Sequence, residues 1–138
     1  MGTATRMNRG RAFLPTDVRM DEYNVYGHDL LWFSDATLHA AFPRGLDAYP
    51  KRVPDLCVEV RSESTWRYDI GAKKRVYEQG GLAELWLVDN AAETVLVYRR
   101  STRDSRTFDV TLELGRGEVL SSPRLPGFEL GMDSLFER

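Results

Sequence analysis

The chain has 138 residues, a formal net charge of −2 and 42% hydrophobic content, which suits one domain with a real core and excludes a whole-protein basic field for nucleic acid. A single cysteine, Cys57, excludes an internal disulfide framework, and Cys57, His28 and His39 offer no zinc-site spacing. No apolar run is long enough to span a membrane, and the N-terminus lacks the apolar core of a signal peptide, so a soluble, cytoplasmic protein is expected.

Residues 1–11 are polar and basic, with Gly2, Gly10, Arg6, Arg9 and Arg11, and read as a flexible segment. Residues 12–138 read as one folded domain. A first strand is expected around Ala12 to Leu14, ended by Pro15. Val18 and Met20 alternate with polar residues and suggest a short strand. His28 to Phe33 reads as a buried strand with Asp29 at its start. Asp29 is open to two readings, a turn residue or a carboxylate held where a strand leaves the core. Ser34 is placed to cap a helix through Leu38. Pro43, Gly45, Pro50 and Pro54 mark a loop that delivers the chain to the next strand.

That strand, Pro54 to Val60, is short, apolar and β-branched. Alternation puts Leu56, Val58 and Val60 on one face and Asp55, Cys57, Glu59 and Arg61 on the other. A buried glutamate is costly unless paired, protonated or metal-bound, so Glu59 either pairs with a nearby cation or serves the chemistry. Asp69 can cap a helix from Ile70 to about Gln79, ended by Gly80 and Gly81. Its apolar stripe is read as Ile70, Val76 and Tyr77. Lys73 falls within that stripe, where it either snorkels outward or meets an anion. Lys74 lies toward the edge, and Arg75 points away.

Glu84 to Asp89 and Thr94 to Tyr98 read as a hairpin around a four-residue loop. Arg99, Arg100, Arg103 and Arg106 form a basic cluster, read as a solvated face or a lining for a phosphate backbone. Phe108 to Leu114 alternates as a further strand, and Met132 to Phe136 reads as a short terminal helix. The order suggests an α/β fold, a mixed sheet flanked by few helices.

If Asp29 and Glu59 lie on neighbouring strands with Lys73 at the same end, they can hold a hard divalent cation such as Mg²⁺ or Mn²⁺. The backbone carbonyl of Val60 could add a ligand. Such a metal activates water and stabilises charge on a phosphate oxygen, and Lys73 could orient that water. The chemistry is hydrolysis of a phosphodiester.

Pro54-Asp55-Leu56-Cys57-Val58-Glu59-Val60, Ser62-Glu63-Ser64-Thr65, then Asp69, Gly71, Lys73 and Tyr77, and Glu84-Leu85-Trp86-Leu87-Val88-Asp89 together resemble the Uma-two restriction endonuclease family. That family is a branch of the PD-(D/E)xK nuclease superfamily. The resemblance runs from about Val18 to the C-terminus, through Leu125-Pro126-Gly127-Phe128. It implies a restriction-endonuclease-like fold and a metal-dependent endonuclease acting on DNA, with a homodimer expected because cutting two strands often takes two sites. It matches Asp29 to the first acid and Glu59 to the second. The superfamily's lysine two residues on is Arg61 here, and the resemblance moves that role to Lys73. Asp55 is a candidate accessory metal ligand, and Arg61 a candidate phosphate contact that cannot act as a base near neutral pH. Three departures stand out: Glu63 replaces a proline, His28 precedes Asp29 where proline is usual, and part of the family's N-terminal region is expected to be lacking. They frame the alternative, a catalytically weak or inactive nuclease-fold module that binds nucleic acid or dimerises.

Overall fold

The computed structural model describes residues 4–6, 9–13, 30–45, 52–61 and 70–137. Seven strands form one sheet in chain order: β1 (Ala4–Arg6), β2 (Gly10–Phe13), β3 (Leu30–Ser34), β4 (Leu56–Arg61), β5 (Glu84–Asp89), β6 (Thr94–Arg99) and β7 (Val110–Leu114). β4 and β5 pair in parallel, and every other neighbouring pair is antiparallel. Among the described residues three helices accompany them: α1 (Asp35–Ala41), α2 (Ile70–Gly80) and α3 (Met132–Leu135). A separate two-stranded ribbon joins β8 (Val119–Leu120) to β9 (Leu130–Gly131).

The mixed sheet follows from chain connectivity. A parallel pair needs a long crossover, and α2 lies in the segment joining β4 to β5. The remaining antiparallel pairs include the expected β5–β6 hairpin. In its turn Asp89 Oδ1 accepts from the amides of Ala91 and Ala92, each at 3.1 Å, and Glu93 takes φ 55°.

Each face of the sheet buries its own core. On one side Leu31, Phe33, Cys57, Leu85 and Leu87 pack with Phe42, Tyr77, Leu82 and Phe108. On the other Trp32, Leu56, Trp86, Val88, Val95 and Val97 pack under the C-terminal segment through Leu120, Leu125, Met132 and Phe136. A strand covered on both sides reads as a continuous apolar run, which is why β5 is buried at all six positions. At Gly10 the backbones come so close that an added Cβ would lie 2.3 Å from the Phe33 carbonyl oxygen and 2.6 Å from the Trp32 ring.

Several expectations need revision. Ala4–Arg6 lie in the stretch read as flexible, yet they pair with β2, and Arg6 forms a two-pronged ion pair with Asp35 on α1. Val76 does not belong to the inward stripe of α2: it is 43% exposed, whereas Tyr77 is buried. The two are successive residues, about 100° apart on a helix, so they cannot share a narrow stripe. Lys74, three before Tyr77, lies half-buried with its Nζ 4.8 Å from the Tyr98 ring centroid. Arg75 points to solvent as expected. The arginine cluster is not a uniformly solvated face, because Arg99 and Arg100 are both held inside the fold. The strand expected around Val18 and Met20 lies outside the described residues. No helix among the described residues is long and apolar enough to cross a membrane.

Candidate functional site

β4 is the centre of the sheet, with β3 antiparallel on one side and β5 parallel on the other. Its side chains alternate as the sequence requires. Leu56 and Val58 join the core under the C-terminal segment, while Cys57 joins the core under α2. Glu59 is on the α2 face and is 1% exposed.

The tyrosine of α2 explains how a carboxyl group is accommodated there. Tyr77 projects onto β4, and its hydroxyl donates to Glu59 Oε2 at 3.0 Å. The Cys57 thiol lies 3.9 Å from the same hydroxyl oxygen. Burial is the largest influence on Tyr77, and the neighbouring Cys57 and Glu59 act in the same direction, so its pKa is pushed well above the usual tyrosine range. The phenol therefore keeps its proton and remains a donor. This interaction spans 18 residues of sequence. In the sequence Tyr77 stands on the inward side of the helix that follows the strand, where it reads as core and as part of the family pattern but not as a partner of Glu59.

The other candidate residues divide clearly. Val60 follows Glu59 in β4, on the opposite alternation, and is 41% exposed. Arg61 ends β4 opposite Asp89, but its side chain lies outside the described residues. Asp29 also lies outside them. Lys73 belongs to α2, four residues before Tyr77, and its side chain is not among those described. Asp55 is not brought to Glu59. Its Oδ2 accepts from the Ser34 amide at 2.7 Å and its Oδ1 from the Thr37 hydroxyl at 3.0 Å. It precedes Glu59 by four residues, about 13 Å along an extended strand. Asp55 thus ties the start of β4 to the capped end of α1, where Ser34 Oγ accepts from the Thr37 amide at 3.2 Å.

The sequence reading also missed Glu84. It is fully buried on the face opposite Glu59, under the C-terminal segment. Arg99 donates to both its oxygens, at 2.9 and 3.1 Å, Ser122 donates at 2.9 Å and the Trp86 indole at 2.6 Å. Arg124 approaches at 3.4 Å. From sequence Glu84 reads as a strand start, because its arginine and serine partners come from distant segments.

For a metal, the donor chemistry at Glu59 suits a hard cation: a carboxyl oxygen on a rigid strand, next to the Val60 carbonyl. Among the described residues no group of three or more His, Cys, Asp or Glu side chains converges as a metal centre. Glu59 thus fits one ligand position, and the described residues alone do not complete the set.

Comparison with known proteins places this geometry. A solved structure, that of "a putative nuclease belonging to DUF820" from Anabaena variabilis ATCC 29413, superposes with a TM-score of 0.68 at 18% identity, covering 94% of this chain and 69% of that one. The likeness shows the fold, a nuclease-like α/β architecture. No curated protein matches the chain. A family model described as "Uma2: Putative restriction endonuclease" matches residues 3–133, nearly the whole chain. The chain belongs to the Uma2 family.

Proposed function

We propose that this protein is a metal-dependent endonuclease that hydrolyses DNA phosphodiester bonds, with Asp29 and Glu59 as metal ligands and Lys73 as the residue that orients the attacking water. The observation that carries the reading is Glu59 itself: a carboxyl group buried at 1% exposure on the central strand and held by the Tyr77 hydroxyl. Burying it there is costly, and a core position would ordinarily hold an apolar residue. Chain connectivity supports its pairing with Asp29. Asp29 directly precedes Leu30, and Leu30 pairs with Val58, the residue before Glu59.

Bound Mg²⁺ or Mn²⁺ would lower the pKa of a water and offset charge on the scissile phosphate. The chain's own residues then have separate tasks. Glu59 and the Val60 carbonyl offer oxygen ligands, and Tyr77 fixes the Glu59 carboxyl orientation. Lys73 holds the water toward phosphorus. The water oxygen forms the new P–O bond, the bond to the leaving sugar oxygen breaks, and that oxygen takes up a proton. Arg61 contacts phosphate as a fixed cation and is no base. Asp55, committed to α1, is a weaker accessory candidate. Two copies acting together would cut a duplex, and light scattering that finds only monomer at working concentration would remove the dimer from this scheme.

The test is nicking or linearisation of supercoiled plasmid with Mg²⁺ and with Mn²⁺, comparing wild type, Glu59→Ala and Lys73→Ala. Cleavage by wild type and its loss in both folded variants is the expected result. Inert wild type that takes up no Mg²⁺ by calorimetry would refute the enzyme reading and leave a nuclease-fold module that binds nucleic acid or dimerises.

A further inference from the structure

A second site lies at the other end of β4. A cavity of about 530 Å³ opens beside Asp55, roughly four strand residues from Glu59, and is therefore separate from the proposed nuclease centre. Arg52, Arg100, Arg103 and Arg124 line it, against one carboxylate among the described lining residues, Asp55. Both Asp55 oxygens already accept hydrogen bonds from Ser34 and Thr37.

Arg100 and Arg103 form no ion pair among the described residues. Arg100 is only 5% exposed, and its guanidinium donates to three neutral carbonyls, those of Leu82 at 2.8 Å, Ser105 and Glu78. Carbonyls fix the guanidinium but leave its full charge, and inside a protein that charge is poorly screened. Arg124 shares the single carboxylate of Glu84 with Arg99, and holds the longer contact, 3.4 Å against 2.9 Å. Arg103 is exposed at the cavity and makes no ion pair with any described residue. The lining thus carries a surplus of positive charge in a concave site, which concentrates anions.

Size and wall chemistry narrow the ligand. The volume falls in the range of small-molecule sites and exceeds what a bare oxyanion fills. Ala36, Ala40 and Val53 give the cavity an accessible apolar wall beside the arginines. Guanidinium forks match phosphate oxygens, and a phosphomonoester brings nearly two negative charges where a carboxylate brings one. We infer that this cavity is a binding site for an organic phosphate, the phosphate held by Arg103 and Arg124 and the organic part lying along Ala40 and Val53. The phosphate belongs either to a free nucleotide-sized ligand or to a nucleic-acid strand.

The site is tested by calorimetry on the full chain in low-salt buffer with a chelator, which silences any metal centre. The probes are adenosine 5′-monophosphate, adenosine and a short duplex DNA oligonucleotide, each against wild type, Arg103→Ala and Arg124→Ala. Adenosine 5′-monophosphate is expected to bind more tightly than adenosine, with affinity falling about tenfold or more in Arg103→Ala. Binding of the duplex alone, with the same dependence on Arg103, would assign the phosphate to a strand and still support the site. Equal binding of nucleotide and nucleoside, affinities that ignore Arg103, or no binding of either phosphate probe would overturn it. Because the assay excludes metal and reads binding, its failure leaves the nuclease reading untouched.

Discussion

Replacing Tyr77 with phenylalanine isolates the interaction that accommodates Glu59. The substitution removes one oxygen and keeps the ring, so packing of α2 against β4 is conserved and any cavity is small. What is lost is a 3.0 Å hydrogen bond from a buried hydroxyl to a buried carboxyl group. Removing one partner of a buried hydrogen bond costs about 1–3 kcal/mol, and we expect Tyr77→Phe to destabilise the fold by about 2 kcal/mol. For a chain of this length that corresponds to a fall in Tm of about 6–8 °C. Urea denaturation gives the free energy directly. A double-mutant cycle with Glu59→Ala assigns it, with an expected coupling of about 1–2 kcal/mol. On the nuclease reading the same variant also loosens the carboxyl group, and Mg²⁺ affinity is expected to fall about 10- to 100-fold. A stability loss below about 0.5 kcal/mol with no coupling would refute the claim that Tyr77 supports Glu59.

Three further outcomes are expected. Glu84→Ala leaves the largely enclosed Arg99 without its carboxylate and should cost about 3 kcal/mol by chemical denaturation, whereas Arg124→Ala, which removes only the 3.4 Å contact, should cost far less. Gly10→Ala drives a Cβ into the Phe33 carbonyl and the Trp32 ring and should destabilise by about 3 kcal/mol, read as a lowered denaturation midpoint. The hydrogen bond from Arg6 holds the Asp35 carboxyl below its ordinary value of 3.8. The stabilisation is therefore complete above that value and disappears as pH falls through the depressed folded-state value. Hydrogen exchange at β1, corrected for the intrinsic rate, should lose protection over that acid range in wild type and at neutral pH in Arg6→Ala.

Much of the scaffold could be read directly because its signals are local. Apolar alternation identifies β4, Ser34 announces α1, and Gly80 with Gly81 stops α2. Glu59 was legible as an acid in a strand that should hold only core residues, and the structure confirms its burial. Its tyrosine partner was not, since a hydrogen bond across 18 residues leaves no periodic trace. The arginine cluster misled for a related reason. A guanidinium that finds three carbonyls is as well placed inside as outside, and sequence does not reveal where those carbonyls are. Glu84 repeats the lesson, since its partners Ser122 and Arg124 lie about forty positions downstream. Asp29 and the Lys73 side chain fall outside the described residues, so the proposed trio rests on Glu59 together with the ladder beside it.

The single parallel pairing among the described strands has a kinetic consequence. Facing residues of β5 and β6 are between 5 and 15 positions apart in sequence, from Asp89↔Thr94 to Glu84↔Arg99, so that hairpin closes through short loops. Every β4–β5 pair, from Leu56↔Glu84 to Arg61↔Asp89, is 28 positions apart. Closing the larger loop costs about 1.5 kcal/mol more chain entropy than closing the shortest. On loop entropy alone the hairpin is expected to form ahead of the β4–β5 pairing. Substitutions in β5–β6 should then slow refolding, while those at Glu59 or Tyr77 should mainly speed unfolding. By the same reasoning, the carboxyl group proposed for chemistry is expected to reach its position late in folding.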